Sequence, residues 1–241
     1  MPGTPAGFPD STMPEAAMAV RWQVLDNPQA VAGQAVQHIL AAAARAIAER
    51  GVFRIVLAGG RTPEAAYRLL VSKDTDWSCW DILFGDERCL PVDDAERNSC
   101  MAAQAWLDHV AITRDHIHPI PAEQGAEAAA HAYTAQVQAA RPFDMVLLGM
   151  GEDGHTASLF PGQPHPAEEL VHAVHDAPKP PPDRVSLSQQ ALSDARQVLI
   201  LVTGSGKRDA VKAWKAGATL PVASIRAHTG VDVLIDRDAV G

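Results

Sequence analysis

Short apolar runs alternate with longer helical segments from about residue 19 onward, and this alternation constrains the fold more than any other feature. Residues 52–58 (VFRIVLA) and 197–203 (QVLILVT) have the length and β-branched content of buried strands. Residues 27–50 are rich in Ala, with Val, Ile and Leu at helical spacing. Because apolar strands separated by helices are typical of a parallel sheet covered on both faces, the sequence predicts a mainly parallel α/β fold.

The length and composition favour a single domain. The chain has 241 residues, of which 47% are hydrophobic and 20% charged, which suits one large α/β domain. We predict that this domain spans residues 19–241 and follows a flexible N-terminal tail at residues 1–18, which contains several prolines and lacks the apolar centre of a signal peptide. Residues 177–183 (APKPPPD) are interpreted as a loop within the domain, because strands resume directly after them.

The charge and cysteine content narrow the choice of partners. The net charge is −9, from 20 basic and 29 acidic residues, and no basic run stands out, so neither nucleic acid nor an anionic membrane is predicted as a partner. The three cysteines form no C-x-x-C pair, which is typical of reduced thiols. We therefore expect a cytoplasmic protein that binds a small molecule. A monomer or weak dimer is also expected, although neither charge nor cysteine content bears on oligomeric state. An anionic substrate would require Arg and Lys to gather locally.

Residues 147–162 (LLGMGEDGHTASLFPG) follow a predicted strand and carry Gly149, Gly151 and Gly154 in the spacing G-x-G-x-x-G. A dinucleotide-binding site needs a full helix after the third glycine and an acidic residue about 20 residues further on, at the end of a second strand. Only the six residues HTASLF precede Pro161, which is too short for that helix. The sequence therefore favours a catalytic loop over a dinucleotide site, and no cofactor is predicted.

The residue types in this stretch suit acid–base chemistry. An imidazole has an unperturbed pKa of about 6.5, so His155 could accept a proton and return it. Asp153 could orient or charge-stabilise that ring, and Gly151 and Gly154 could let a backbone amide approach a developing oxyanion. The alternative is that His155 only hydrogen-bonds a loop carbonyl and the glycines only form a turn. Composition leaves both alternatives open.

Residues 147–162 resemble the signature of the 6-phosphogluconolactonase family. Members of this family are hydrolases of the oxidative pentose phosphate pathway. Three further stretches agree with that family in order and spacing: residues 57–63 (LAGGRTP), 85–99 (GDERCLPVDDAERNS) and 184–211 (RVSLS to TGSGKRDAV). The resemblance spans about residues 52–215. It implies a Rossmann-like α/β sheet shared with glucosamine-6-phosphate deaminases, and hydrolysis of 6-phospho-D-glucono-1,5-lactone to 6-phosphogluconate by activated water without a metal.

The resemblance also implies roles for individual residues. His155 would be the base that activates water, with Asp153 nearby. Gly59 and Gly60 end a strand just before a helix, whose N-terminal amides form a ready anion site. The residues expected to bind the sugar phosphate are Gly59, Gly60, Arg61, Thr62, Asp86, Arg88, Gly151, Gly154, Arg184 and Lys207.

The chain departs from the commonest family pattern in two blocks. Ala58 and Arg61 stand where the family usually has serines around the glycines, so Arg61 could supply charge in place of a hydroxyl. In the second block Leu90 replaces the usual Val, and Asn98 is retained within ERNS. Neither departure removes a proposed acid, base or charge.

Two other functions compete with lactone hydrolysis. In the related aminosugar-phosphate deaminases the histidine block continues to an acid, as in Asn-Glu-Pro, whereas this chain has Leu159, Phe160 and Pro161 at those positions. A non-catalytic sugar-phosphate sensor would usually carry an appended DNA-binding segment, and residues 1–18 do not resemble one. The Asp153–His155 pair also favours catalysis.

Three further histidines lie close together in the sequence, at His165, His172 and His175. Closely spaced histidines can bind a metal. These three lie in a polar connection without supporting cysteines or paired carboxylates, so we predict that they are surface residues. No metal site is predicted.

Overall fold

The computed structural model describes residues 19–166 and 168–241, and the predicted tail at residues 1–18 lies outside them. The strand–helix alternation forms a six-stranded sheet in which every adjacent pair of strands is parallel. Its strands are β1 (Val20–Leu25), β2 (Phe53–Leu57), β3 (Trp80–Phe84), β5 (Phe143–Gly149), β8 (Ala195–Val202) and β9 (Val231–Asp236). Their spatial order is β1-β9-β8-β5-β2-β3. The predicted mainly parallel α/β fold is therefore confirmed.

A second, three-stranded antiparallel sheet is present that the sequence pattern did not indicate. It contains β4 (Asp86–Arg88), β6 (Val171–Val174) and β7 (Arg184–Leu187), in the order β4-β7-β6. The interpretation of the segment around His165, His172 and His175 as a polar connection is wrong where β6 forms. Its four residues are too few to show an alternating pattern, and their strand conformation depends on pairing with β7.

Eight α-helices surround the sheets in the described residues. They are α1 (Pro28–Arg50), α2 (Arg61–Leu70), α3 (Asn98–Ala105), α4 (Ala126–Ala140), α5 (Gln189–Ser193), α6 (Arg208–Lys215), α7 (Pro221–Ser224) and α8 (Arg237–Val240). The ends of α1 follow local rules. The Asn27 side chain accepts a hydrogen bond from the amide of Ala30, Pro28 occupies the first turn, and Gly51 ends the helix with a φ of 75°.

The parallel strands place four loops at one edge of the larger sheet. Residues that follow β2, β3, β5 and β8 all lie at the carboxyl ends of their strands, where open α/β sheets bind ligands. These four strands are mostly buried, as Ile55 in β2, Met145 in β5 and Leu199 in β8 illustrate at 0% exposure. A tightly packed apolar sheet thus carries polar loops whose positions are fixed by the order of the strands.

Candidate active site

The four loops enclose a cleft of about 710 Å³ at the carboxyl edge of the larger sheet. The cleft has the size of a typical small-molecule site. Ten of the twelve predicted site residues line it: Gly59, Gly60, Arg61, Thr62, Asp86, Arg88, Gly151, His155, Arg184 and Lys207. The other two, Asp153 and Gly154, belong to the same turn as His155 but do not line the cleft. The loops predicted to form one site therefore do meet.

His155 and Asp153 form a hydrogen-bonded pair at the end of β5. Ring Nδ1 of His155 lies 2.5 Å from Oδ1 of Asp153, and the backbone amide of His155 donates to the same oxygen at 3.2 Å. The imidazole also packs on the ring of Phe160, with centroids 4.6 Å apart. Because Asp153 accepts from Nδ1, the basic nitrogen of a neutral ring is Nε2, the atom a general base needs.

Burial and the contacts between His155 and Asp153 shift the pKa values of the two side chains in opposite directions. Burial lowers the pKa of His155 below its ordinary value, although the hydrogen bond and charge of Asp153 oppose the shift. Partial burial would raise the pKa of Asp153, but hydrogen bonds from the ring and amide of His155 lower it overall. Near neutral pH the pair therefore holds an uncharged imidazole beside an ionised carboxylate, ready to accept a proton.

Gly151 and Gly154 are required by close packing in this turn. A Cβ on Gly151 would lie 2.0 Å from Nδ1 of His155, so any side chain there would displace the ring. Gly154 has a φ of 82°, and a Cβ there would lie 2.9 Å from the Leu220 side chain. The amide of Gly151 donates to the His155 carbonyl at 2.8 Å and that of Gly154 to the Gly151 carbonyl at 3.1 Å. Both amides are thus engaged within the turn.

The glycine loop after β2 leads into the N-terminus of α2. Gly60 precedes the helix with a φ of 104°, and no side chain caps the first turn. The first amides of α2 are therefore available to an anion in the cleft. The Oγ1 of Thr62 lies 2.6 Å from that of Thr203 at the end of β8, which joins two of the four loops.

Asn98, the first residue of α3, also belongs to the site, although sequence reasoning did not select it as a binding residue. It lines the cleft, and its Nδ2 donates to Oδ1 of Asp86 at 3.0 Å. A Cβ on Gly59 would lie 1.9 Å from Asn98 Oδ1, so the glycine lets this side chain approach the loop. Asp86 is buried and also accepts from Oγ of Ser158 at 2.7 Å. Asp86 therefore joins β4 to the start of α3 and to the segment that follows β5.

The two predicted arginines from the smaller sheet are neighbours. Arg88 and Arg184 are paired across β4 and β7. The Nη1 of Arg88 donates to the Glu96 carbonyl, and its Nε is buried without a partner among the described residues. Arg184 is only 5% exposed, which lowers the pKa of its guanidinium, and that group lies 5.5 Å from the centroid of Phe160.

The cleft is positively charged although the chain is not. Among its lining residues, one acid, Asp86, stands against five cations, which are Arg61, Arg88, Lys179, Arg184 and Lys207. The local gathering of Arg and Lys required for an anionic substrate is thus present. Lys179 was not among the predicted residues, because a lysine in the Pro-rich segment 177–183 carries no local signal that it faces the site.

His165, His172 and His175 do not gather into a metal site in the described part of the chain. Within residues 19–166 and 168–241, no group of three or more His, Cys, Asp or Glu side chains could hold a metal ion. The prediction that all three lie on the surface is wrong for His172, which is 2% exposed in β6, and His165 is partly buried. Only His175 is exposed, with hydrogen bonds to Asp183 and Glu127. His172 is paired with Ser186 of β7, and both residues are buried.

None of the helices in the described part of the chain is both long and apolar enough to cross a membrane.

Comparison with known proteins relates this chain to sugar-phosphate enzymes. A family model described as glucosamine-6-phosphate isomerases/6-phosphogluconolactonase matches residues 26–234. A 6-phosphogluconolactonase of Mycobacterium tuberculosis is 38% identical, and the match covers 90% of this chain and 96% of the relative. A protein of the same name from Streptomyces coelicolor is 40% identical, with 89% and 94% covered. The crystal structure of a 6-phosphogluconolactonase from Thermotoga maritima superimposes with a TM-score of 0.85 at 25% identity, covering 91% of this chain and all of that one.

Proposed function

The chain belongs to the family of glucosamine-6-phosphate isomerases and 6-phosphogluconolactonases, and on this premise we propose that it hydrolyses 6-phospho-D-glucono-1,5-lactone to 6-phosphogluconate. The observation that carries the proposal is the Asp153–His155 pair at the wall of a cationic cleft. A base with an available nitrogen beside an anion-binding surface is what hydrolysis of a phosphorylated ester requires.

His155 acts first as a base and then as an acid. Its Nε2 takes a proton from water while the water oxygen attacks the lactone carbonyl carbon. The tetrahedral intermediate collapses with cleavage of the bond between that carbon and the ring oxygen, and the ring oxygen takes the proton back from Nε2. Asp153 keeps Nδ1 protonated and stabilises the transient imidazolium. No covalent intermediate is required, because a lactone is an activated ester.

The phosphate binds at the N-terminus of α2. The uncapped amides after Gly60 offer donors, and Arg61 and Lys207 line the cleft beside them. Burial lowers the pKa of Lys207, and the charge of Glu152 opposes that shift. Anchoring the phosphate there orients the lactone carbonyl toward His155, and such orientation can contribute several kcal/mol to the rate.

The negative charge that develops on the carbonyl oxygen is stabilised by a cationic side chain of the cleft. The amides of Gly151 and Gly154 are unsuited to this role, because both already donate to carbonyls of their own turn. Their glycines serve instead to let the His155 ring sit against the backbone.

The residues after His155 favour hydrolysis over deamination. Ring opening in an aminosugar-phosphate deaminase uses an acid at the positions that Leu159 and Phe160 occupy here. Both side chains are buried, at 1% and 0% exposure, and contribute no titratable group.

A turnover assay with freshly prepared lactone tests the proposal. We expect release of 6-phosphogluconate well above the spontaneous rate, and no ammonia from glucosamine-6-phosphate. The unphosphorylated glucono-1,5-lactone should have a kcat/KM lower by at least ~10²-fold, because it lacks the charge-assisted contacts to phosphate. Hydrolysis no faster than in buffer would favour the sensor function, and release of ammonia would favour the deaminase. A cytoplasmic location and a monomeric or weakly dimeric state remain predictions.

A further inference from the structure

The Pro-rich segment 177–183 brings a lysine to the cleft that the mechanism above does not use. Lys179 and Pro180 both line the cleft. After the dominant effect of burial, the charge of Lys179 contributes to lowering the pKa of both His155 and Lys207. Lys179 therefore lies within electrostatic range of the catalytic base and of the cation assigned to the phosphate.

The backbone of this segment is held by one buried side chain. Nη2 of Arg184 donates to the carbonyls of Lys179 and Pro180, each at 2.9 Å, and its Nε donates to the Pro181 carbonyl at 3.1 Å. The guanidinium is fixed in turn by its contact with the Phe160 ring. Three charge-assisted bonds to consecutive residues restrain the backbone from which Lys179 extends.

The cations around Lys207 repel one another when no anion is present. The charges of Lys179 and Arg61 both lower the pKa of Lys207, while Glu152 and Asp153 oppose them. All three cations line the cleft, and Arg61 is the first residue of α2, whose uncapped N-terminus adds further positive potential. A dianion bound among them would relieve this repulsion, so the arrangement suits a phosphate group better than a neutral hydroxyl.

Building on the lactonase function proposed above, we propose that Lys179 binds the phosphate of the substrate and that Arg184 is the positioning residue that holds Lys179 in place. Arg184 acts through the backbone of Lys179, Pro180 and Pro181. Fixing the start of a long, exposed side chain lowers the entropy lost when its ammonium group orders on the phosphate.

Lys179→Met tests the first half of the proposal, because it removes the charge and keeps most of the apolar stem. Calorimetric binding of 6-phosphogluconate should weaken by about tenfold. The matched control is Lys73→Met, since Lys73 is exposed and does not line the cleft, and it should bind like the native protein. Lys179→Arg should retain most of the affinity. Unchanged binding by Lys179→Met would overturn the proposal.

Arg184→Lys tests the second half, because it keeps the charge but cannot reach three carbonyls with the same geometry. We expect this variant to lose about as much affinity as Lys179→Met, and the double variant to lose little more than either, because both changes remove the same contact. If the two losses multiply, Arg184 binds the phosphate independently of Lys179, and the positioning role is refuted.

An NMR titration of His155 in the ligand-free protein gives a readout that needs neither turnover nor an Arg184 variant. Lys179→Met should raise the pKa of His155, because a nearby cation is removed, whereas Lys73→Met should not change it. An unchanged pKa in Lys179→Met would place the ammonium group away from the site and overturn the proposal. Absence of lactone hydrolysis by the native protein would instead refute the proposed function, while this titration would still report on Lys179.

Discussion

The loop that carries His155 and the strand that carries His172 place the same kind of side chain in contrasting surroundings. Burial lowers the pKa of both rings. His155 has a carboxylate at Nδ1 and lines the cleft, whereas neither nitrogen of His172 has a partner among the described residues. A histidine can exchange protons usefully only where its charged form is compensated, so the first site suits chemistry and the second suits packing alone.

The largest expected difference between the two regions is in turnover. His155→Gln should reduce the rate of lactone hydrolysis by at least ~10²-fold, because the general base is lost while a polar side chain of similar reach remains. His172→Leu is the matched control and should retain most of the native rate. The rates are measured with freshly prepared lactone, and folding is checked by circular dichroism. If His155→Gln keeps most of its activity, His155 is not the general base.

His172, rather than His155, should have the larger effect on the stability of the fold at acidic pH. Burial lowers the pKa of His172 to about 4, below the value of about 6.5 expected in the unfolded chain. Between these two pH values the unfolded state therefore binds more protons than the folded state. The free energy of unfolding is thus unaffected by His172 above about pH 6.5 and decreases as the pH drops toward 4. The total loss is about 3 kcal/mol, from roughly 1.4 kcal/mol per pKa unit.

Urea unfolding of His172→Leu at pH 8 and pH 5 checks this prediction. The variant should lose less stability between the two pH values than the native protein, because a leucine takes up no proton. His175→Gln is the control, because its exposed ring has carboxylate partners that raise its pKa. If native and His172→Leu proteins lose equal stability, His172 is not the group that titrates.

The carboxylate partner of His155 should have a smaller, directional effect. Only the neutral imidazole accepts a proton, so activity falls as the pH drops through the pKa of His155, which lies below 6.5. Asp153→Asn removes a charge that raises this pKa. The acidic limb of kcat/KM should therefore move to lower pH, while the plateau falls by at least ~10-fold because the imidazolium loses its stabilisation. If the acidic limb of the kcat/KM profile moves to higher pH instead, Asp153 does not act on His155 as its charged partner.

The smallest expected effect is that of metal removal. In the described part of the chain, the surroundings of His172 and His165 contain no group of three ligands for a metal ion. Exhaustive treatment with EDTA should therefore leave turnover unchanged. If EDTA abolishes activity and added zinc or magnesium restores it, the region around His172 has a functional role and the contrast with His155 does not hold.

Much of the fold could be predicted because its signals are local. The apolar runs at β2 and β8 and the helical spacing of α1 each lie within one segment of the sequence, and burial in a parallel sheet selects for them. Strand β6 could not be predicted in this way. It has four residues, and its partner β7 begins ten residues further on, after the Pro-rich segment, so only the pairing makes it a strand.

The residues of the candidate site also fall into those with a local sequence signal and those that depend on tertiary structure. Asp153, His155 and the glycines around them lie within five residues, so the sequence by itself predicted that the two side chains pair and that the glycines leave space for the ring. The contribution of Asn98 and Lys179 to the cleft depends on how loops that are far apart in the sequence meet.

The sequence therefore determined the class of fold and the turn at residues 151–155, because helical periodicity, strand length and the conformational freedom of glycine act over a few residues. Only the tertiary structure decided that five cations share one cleft and that His172 is buried. The physical reason is that the order of strands in the sheets, which local sequence does not encode, fixes which loops meet and which side chains are covered.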